Sequence, residues 1–209
     1  PGQMVLFIRS RRIAVRDVSL LDAPYWTLLC HGCRDLNIRG LTIVNPPQTA
    51  NGDGIDIDCS QRVTISDCRI ASGDDCITLR GNPRRLPEEV PCEDVTVTNC
   101  VLSTPCNAVR VGVGDGLVRN CILSNLVITD TRTGVNVVCR YSDATPRGTR
   151  IENIRFSDII MDAVLPLQVT YGVPGDQSRP PAGIRNLSFV GFTVHAEAGS
   201  YLGGIPDLP

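Results

Sequence analysis

The stretch VTISDCRI, residues 63–70, carries the pattern on which the fold prediction rests. Apolar side chains alternate with other residues on both sides of Asp67, as in two short half-buried strands that meet at a bend. The pattern recurs, so each copy is one unit of an internal repeat. The three other clear copies are IAVRDVSL at residues 13–20, LNIRGLTI at 36–43 and VTVTNCVL at 95–102.

The bend residue of every copy is Asp, Asn or Gly, the types that most readily adopt a left-handed backbone conformation. Weaker copies extend the series to seven bends, at Asp17, Gly40, Asp67, Asn99, Asn125, Asp158 and Gly191. This repeat predicts an all-β fold, a right-handed single-stranded parallel β-helix of about seven coils. No sustained 3.6-residue apolar period supports helices. A β-sandwich, the remaining alternative, would not require such a bend in every unit.

The residue after each bend should point into the coil and stack on its counterpart in the next coil. The predicted interior ladder is Val18, Leu41, Cys68, Cys100, Leu126, Ile159 and Phe192. Its two cysteines favour core packing as the role of the chain's ten cysteines, since free Cys behaves as a small hydrophobe. Disulfides remain the main alternative. A metal site is weakly supported, because Cys30-x-x-Cys33 lacks a second pair.

Composition excludes two classes of partner. The net charge is −2 over 209 residues, which does not indicate a nucleic-acid-binding surface. No apolar run approaches the roughly 18 residues that a membrane span needs. Aromatic residues make up only 4% of the chain, which suits short stacked strands better than a large globular core.

A third short strand follows each pair, and its copies align as GIDI (54–57), CITL (76–79), AVRV (108–111) and GVNV (134–137). With the aliphatic residues inward, the third residue of each copy points outward. The resulting outer row is Asp56, Thr78, Arg110, Asn136 and Gln168, and the residues before the strands form a second row of Asp53, Asp75, Asn107 and Thr133. Neighbouring coils lie about 4.8 Å apart.

This stacking crowds carboxylates. Asp53 lies one coil from Asp75, with Asp74 and Asp56 close by, and such proximity raises at least one pKa because ionising all of them is unfavourable. A neutral carboxylic acid beside ionised ones is what hydrolysis of a glycosidic bond requires. Two alternatives remain: a tight Asp-Gly turn at residues 51–54 and a calcium site made of the same carboxylates.

The same residues resemble glycoside hydrolase family 28, the polygalacturonase group. Asn51-Gly-Asp53-Gly-Ile-Asp56 is similar to the family's Asn-Thr-Asp-Gly-x-Asp motif, and Gly73-Asp74-Asp75-Cys76 to its Gly/Gln-Asp-Asp-Cys motif. The resemblance implies an inverting mechanism in which Asp74 is the general acid and Asp53 and Asp75 activate the water. It also implies substrate-binding roles for Asn51, Asp56 and Tyr171.

Two motifs of the family are replaced. Asn107 stands where a histidine is usual, and Asn136-Val137-Val138 aligns where an Arg-x-Lys pair grips the galacturonate carboxylate. Asn107 and Asn136 are therefore predicted to bind substrate in place of those groups. Arg110 could pair with a substrate carboxylate, or form an internal salt bridge to Asp74 or Asp56; the sequence leaves both open.

The predicted function is that of an inverting glycoside hydrolase acting on a pectin-like or related polysaccharide or oligosaccharide. One alternative is a calcium-dependent polysaccharide lyase with Arg110 as the base and calcium on Asp53, Asp74 and Asp75. The other is a non-catalytic carbohydrate-binding β-helix, favoured by the replaced motifs.

The remaining expectations concern organisation. Residues 1–209 are expected to form one β-helix domain that is part of a longer family-28-like chain, with no cofactor and no bound metal. The ends of the solenoid look uncapped, which would allow oligomerisation through them. The resemblance implies secretion or a periplasmic location.

Overall fold

A computed structural model describes residues 2–172 and 182–204 of the chain. The backbone of these residues is almost entirely β-strand, and their one helical segment is a 3-10 turn at Pro83–Arg85. Within this part of the chain, no helix has the length and apolar character needed to span a bilayer. The strands are β1 Val5–Ile8, β2 Arg11–Arg16, β3 Ser19–Leu21, β4 Leu28–His31, β5 Arg34–Arg39, β6 Thr42–Val44, β7 Ile55–Asp58, β8 Gln61–Ser66, β9 Arg69–Ala71, β10 Ile77–Gly81, β11 Cys92–Ser103, β12 Asn107–Gly114, β13 Leu117–Val138, β14 Arg150–Thr170, β15 Ile184–Ala196 and β16 Tyr201–Leu202.

The strands pair with those one coil away. Every pairing in the described part of the chain is parallel. Strands β1, β4, β7, β10 and β12 form one continuous ladder, which continues into the C-terminal parts of β13 and β14. A second ladder runs through β2, β5, β8, β11 and the start of β13. A single parallel sheet curled into successive coils confirms the predicted β-helix.

All seven predicted bend residues have a left-handed backbone, with φ between 52° and 68°. A second row of left-handed residues lies five positions before each of them, with φ between 55° and 63°, and the sequence interpretation missed it. This row is Arg12, Asp35, Arg62, Asp94, Asn120, Asn153 and Asn186. Together the two rows, named here the bend rows, turn the chain twice in each coil.

The interior of the coil is a continuous apolar column. The predicted ladder is confirmed at its five central positions, Leu41, Cys68, Cys100, Leu126 and Ile159, which are buried. It is wrong at Val18, which is 40% exposed, and Phe192 is only partly buried. Val18 follows a bend next to β3, and Phe192 lies on β15; each of these strands has a paired strand on one side only. Because there is no paired strand on the other side, the side chain is exposed to solvent.

The cysteines belong largely to this column. All ten carry free thiols, and nine of them are buried, Cys106 being the half-buried exception. Packing in the interior is therefore the role that the structure supports, as the sequence favoured.

Candidate active site

The third strands place the predicted outer row in register. Asp56 pairs with Thr78, Thr78 with Arg110, and Arg110 with Asn136, which in turn pairs with Gln168. The row is more deeply covered than an outer face suggests, because Asp56 and Thr78 have no exposed surface. Long side chains lie over it: Nη1 of Arg80 is 3.3 Å from Oδ1 of Asp56.

The second predicted row is also continuous, and we name it the carboxylate row. Backbone hydrogen bonds link Thr27 to Asp53, Gly54 to the carbonyl of Asp75, and Cys76 to the carbonyl of Asn107. Gly54 is required by the close approach of the next coil, since a Cβ there would lie 2.5 Å from the carbonyl oxygen of Cys76. This tight stacking brings the carboxylates of Asp53 and Asp75 onto adjacent coils.

Asp53 is a buried carboxylate with an unpaired oxygen. It is 4% exposed, and its Oδ1 has no hydrogen-bond partner among the described residues. Burial raises the pKa of Asp53 well above its ordinary value, and the negative charges of Asp56, Asp75 and Asp74 raise it further. Asp53 therefore favours its protonated form when no ligand is bound.

Asp75 is buried too, but it is held by partners. Nε of Arg110 lies 2.8 Å from its Oδ2, and Nδ2 of Asn107 donates to its Oδ1 at 2.5 Å. The Nε–H of Arg110 points away from this oxygen, so the contact is an ion pair without a hydrogen bond. Burial raises the pKa of Asp75, while Arg110 and Asn107 act against that rise. Asn136 completes the chain by donating from Nδ2 to Oδ1 of Asn107 at 2.9 Å.

These contacts correct the predicted internal salt bridge of Arg110. The partner is Asp75, not Asp74 or Asp56, and the other face of the guanidinium lies 4.8 Å from the ring centroid of Tyr141. Asp56 is paired with Arg80 instead. The sequence missed Arg80, although it lies two positions after Thr78 on the same strand and therefore points to the same side.

Asp74 is the accessible carboxylate of the group. Its side chain is half-buried, and Oδ1 accepts a hydrogen bond from the backbone N–H of Asp75 at 3.0 Å. The hydroxyls of Ser72 and Thr104 both donate to its carbonyl oxygen, which fixes the backbone at this position. Asp74 thus faces solvent from a rigid support.

A possible cation site overlaps this group. Asp74, Asp75 and Cys106 each bring one potential ligand atom to within 4.8 Å of the others. Burial raises the pKa of the Cys106 thiol to about 12, so the thiolate that a metal needs is disfavoured. Both oxygens of Asp75 already have partners, in Arg110 and Asn107. This donor set fits a metal ion poorly.

The structure also describes the predicted substrate-binding residues Asn51 and Tyr171. Asn51 is exposed in a turn with φ of 53°. Tyr171 packs against the interior column, and its hydroxyl donates to the carbonyl oxygen of Ile184 at 3.3 Å.

Comparisons with known proteins agree with the predicted resemblance. The model of the family "Glycosyl hydrolases family 28" matches residues 2–85. The chain is 25% identical over 182 residues to a protein of Arabidopsis thaliana described as a probable polygalacturonase, covering 72% of this chain and 40% of that protein. It is also 25% identical over 176 residues to the exopolygalacturonase of Platanus acerifolia, covering 69% of this chain and 47% of that protein. The chain thus spans less than half the length of these relatives.

Among solved structures, the chain is similar to a hyperthermoactive exopolygalacturonase from Thermotoga maritima. The TM-score is 0.71 at 20% identity, and the match covers 93% of this chain and 50% of that one. At this identity the likeness shows the fold. The sequence matches and the fold together confirm the resemblance predicted from the two aspartate motifs.

Proposed function

We propose that this chain, a divergent relative of glycoside hydrolase family 28, carries the catalytic carboxylates of an inverting glycosidase. The observation that carries the proposal is that three clustered aspartates have three different environments. One faces solvent, one is buried and ion-paired, and one is buried and favours protonation. These are Asp74, Asp75 and Asp53 respectively. Hydrolysis with inversion needs one carboxylic acid to protonate the leaving oxygen and another carboxylate to activate water.

Asp74 is the proposed general acid. The raised pKa of Asp53 would by itself favour Asp53 for this role. A general acid must, however, come within hydrogen-bond reach of the glycosidic oxygen. Asp53 is buried with an enclosed Oδ1, whereas Asp74 is accessible. Access therefore decides in favour of Asp74, which is also the role implied by the resemblance.

Asp75 is the proposed base, with Asp53 as its partner. Arg110 and Asn107 favour the ionised form of Asp75. This buried carboxylate must reach only a water molecule, whereas the acid must reach the glycosidic oxygen of a sugar, and each of its oxygens keeps a lone pair that can accept a proton from that water. Asp53, stacked one coil away, can form a second hydrogen bond to that water and so help to position it. In this arrangement the proton leaves water towards Asp75 while Asp74 delivers its own proton to the leaving sugar.

The proposed substrate is a pectin-like polysaccharide or an oligosaccharide derived from it. The names of the relatives point to this class, and a secreted or periplasmic location would bring the enzyme to such a polymer. Asn107 and Asn136 are bound to each other and to Asp75, so they position the base. Direct contact of either amide with a sugar would require this chain of hydrogen bonds to open.

The calcium-dependent lyase is less well supported. A lyase base must be deprotonated, but Arg110 is held as a cation by Asp75 and by the ring of Tyr141. The guanidinium of Arg110, 2.8 Å from Oδ2 of Asp75, would also repel a calcium ion at this carboxylate. A non-catalytic binding module would give no reason to retain a desolvated Asp53, whose burial is energetically costly.

The experiment that tests the proposal follows the release of reducing sugar from pectic and neutral polysaccharides, and the anomeric configuration of the first product by NMR. Wild type is expected to give the inverted anomer, with activity that survives a chelator. Asp74→Asn is expected to lower the rate by at least ~100-fold, the typical contribution of a general acid. Asp158→Asn, the same change at an exposed bend, is the matched control and should retain activity. Binding without turnover on every polymer would contradict the proposal.

A further inference from the structure

The thiol of Cys106 lies next to the proposed catalytic carboxylates and has no part in the mechanism proposed above. Each coil has one residue directly before its member of the carboxylate row, and on three successive coils these residues are Asp74, Cys106 and Arg132. Sγ of Cys106 and one carboxylate oxygen each of Asp74 and Asp75 lie within 4.8 Å of one another. The thiol is therefore a neighbour of both the proposed acid and the proposed base.

The backbone of Cys106 is tied to that of Asp74. The hydroxyl of Thr104 accepts the N–H of Cys106 at 3.1 Å and donates to the carbonyl oxygen of Asp74. Because one hydroxyl holds both backbones, the half-buried thiol keeps its place beside the acid.

The sulfur of Cys106 accepts hydrogen bonds from two other side chains. Nδ2 of Asn107 lies 3.2 Å from Sγ, and Nη2 of Arg132 lies 3.6 Å from it. Burial, the charge of Asp75 and hydrogen bonding with Asp74 together raise the pKa of the thiol to about 12, so it keeps its proton at neutral pH. Since the lone pairs of the sulfur face two donors, its single S–H is left to point towards the carboxylates.

Both carboxylates interact with this thiol. A hydrogen bond from Cys106 is one of the contacts that act against the raised pKa of Asp75, and another joins the thiol to the side chain of Asp74. The side chain of Asp74 also accepts the backbone N–H of Asp75. Two adjacent carboxyl groups with no donor between them tend to share one proton. A thiol that bridges them opposes this sharing.

We propose that Cys106 is a positioning residue for the general acid: its thiol bridges the side chains of Asp74 and Asp75 and directs the proton of Asp74 towards the sugar. With the S–H and the N–H of Asp75 as donors beside it, Asp74 has its own O–H free to donate to the glycosidic oxygen. The thiol carries the same proton before and after turnover, and no bond to sulfur forms. The inference rests on the proposed glycosidase function.

The test compares kcat, KM and the pH–rate profile of wild type with those of Cys106→Ala and Cys106→Ser. The substrate is polygalacturonic acid, or whichever polymer of the panel above wild type cleaves fastest. Alanine should lower kcat about tenfold, as for the loss of one hydrogen bond, and leave KM within about twofold. It should also widen the pH–rate profile, because two carboxyl groups that share a proton directly titrate further apart. Serine keeps a donor and should restore the width and most of kcat.

The charged groups around the two carboxylates stay in place in these variants. Asp53 and Asp56 approach from the preceding coil, Arg110 pairs with Asp75, and Arg132 lies beyond the thiol. A change in the pH–rate profile therefore reports the loss of the thiol itself.

Cys121→Ala is the matched control. Cys121 is 1% exposed on the second ladder, and its thiol donates to the carbonyl oxygen of Arg119 at 3.2 Å. Its removal costs at least as much packing as the removal of Cys106, yet it should leave kcat, KM and the width of the pH–rate profile unchanged.

A wild-type kcat and profile in Cys106→Ala, or equal losses in the alanine and serine variants, would overturn the bridge. NMR titration of isotope-labelled aspartate carboxyl groups gives a second measurement that needs no substrate. If wild type cleaves no polysaccharide while Cys106→Ala separates the titrations of Asp74 and Asp75, the proposed hydrolase fails and the bridge stands. If wild type is active and neither measurement responds to Cys106→Ala, the bridge alone fails.

Discussion

The bend rows and the carboxylate row are both columns of polar residues stacked one per coil on the same β-helix. Where the bend rows carry asparagines, these are exposed and satisfy one another: Asn186 donates to Asn153 at 2.9 Å, and Asn153 donates to Asn120 at 3.1 Å. In the carboxylate row, Asp53 and Asp75 are buried and repel each other, and Asp53 keeps an unpaired oxygen.

The difference follows from the side-chain chemistry and from burial, because the coil spacing is the same in both columns. An amide carries a donor and an acceptor, so identical amides can hydrogen-bond to each other along a column. An ionised carboxylate carries only acceptors. Its column therefore needs cations or amide donors from other residues, or one carboxylate must keep its proton. A stacked row of like residues stabilises the β-helix in the first case, and in the second it gives, at an energetic cost, the carboxylates that we propose as the catalytic group.

The largest effect on stability is expected when Arg110, the cation paired with Asp75, is replaced. Arg110→Met leaves a buried carboxylate without its counter-charge, which should lower the free energy of unfolding by about 3–5 kcal/mol. Arg39→Met is the matched control, because Arg39 forms an exposed pair with Asp67 in a bend row and such pairs contribute about 0–1 kcal/mol. Urea denaturation measures both.

A loss below about 1 kcal/mol for Arg110→Met would show that the buried pair is not a determinant of stability. The double variant Arg110→Met with Asp75→Asn should recover part of the loss, since it removes the uncompensated charge. Failure to recover would assign the cost of Arg110→Met to lost packing against Tyr141.

The next effect concerns the proton on Asp53. Its folded pKa is raised above the unfolded value of about 3.9, so the folded state binds more protons above pH 4, and stability should fall as pH rises from there towards neutrality and beyond. Asp53→Asn removes this decline. The variant should be more stable than wild type by about 1–3 kcal/mol at pH 8 and show no such gain at pH 4.

Denaturation curves at the two pH values check this expectation. Asp158→Asn, an exposed bend residue, serves as the control and should change stability by less than about 0.5 kcal/mol at either pH. A pH-independent effect of Asp53→Asn would mean that the buried carboxylate is not protonated in the folded state.

A smaller effect is expected in the bend rows. Asn153 combines a left-handed backbone with two side-chain hydrogen bonds to its neighbours. Asn153→Ala should cost about 1–2 kcal/mol, because alanine is strained in this conformation. Asn153→Gly relieves that strain and should cost less. If the two variants were equally destabilised, the amide column and not the backbone would be the source of stability.

The smallest effect on stability is expected when Asp74, the proposed acid, is replaced. Asp74 is half-buried, and asparagine can still accept the Asp75 N–H, so Asp74→Asn should change the free energy of unfolding by less than about 0.5 kcal/mol. Thermal unfolding of the variant, compared with its activity loss, checks this. A large loss of stability would place Asp74 with the structural residues.

Much of the fold could be predicted because its rules are local. Each of the seven bends is Asp, Asn or Gly, and all seven are left-handed. The second row was missed because Arg12 and Arg62 occupy it, and arginine does not usually mark a left-handed position. The exposure of Val18 was also missed, because repeat logic assumes a neighbouring coil on both sides.

For the candidate site, the sequence could predict which residues lie on the same side of the coil but not which side chains contact one another. Alternation along the third strands placed Asp56 on the outer side of the coil, since side chains alternate with period two. Asp53 and Asp75 were placed there as the residues that precede those strands. It could not show that Arg110 reaches diagonally to Asp75, or that Arg80 covers Asp56. The conformations of long side chains depend on packing against several coils at once.

The sequence by itself determined one of the two rows of bends and which polar residues share a column. These follow from residue-level backbone preferences and from the two-residue period of a strand. Only the tertiary structure decided which carboxylate is exposed, which is paired and which favours its proton. Those properties arise where side chains 24 to 32 residues apart in the chain, such as Asp56 with Arg80 and Asp75 with Asn107, meet in a desolvated space.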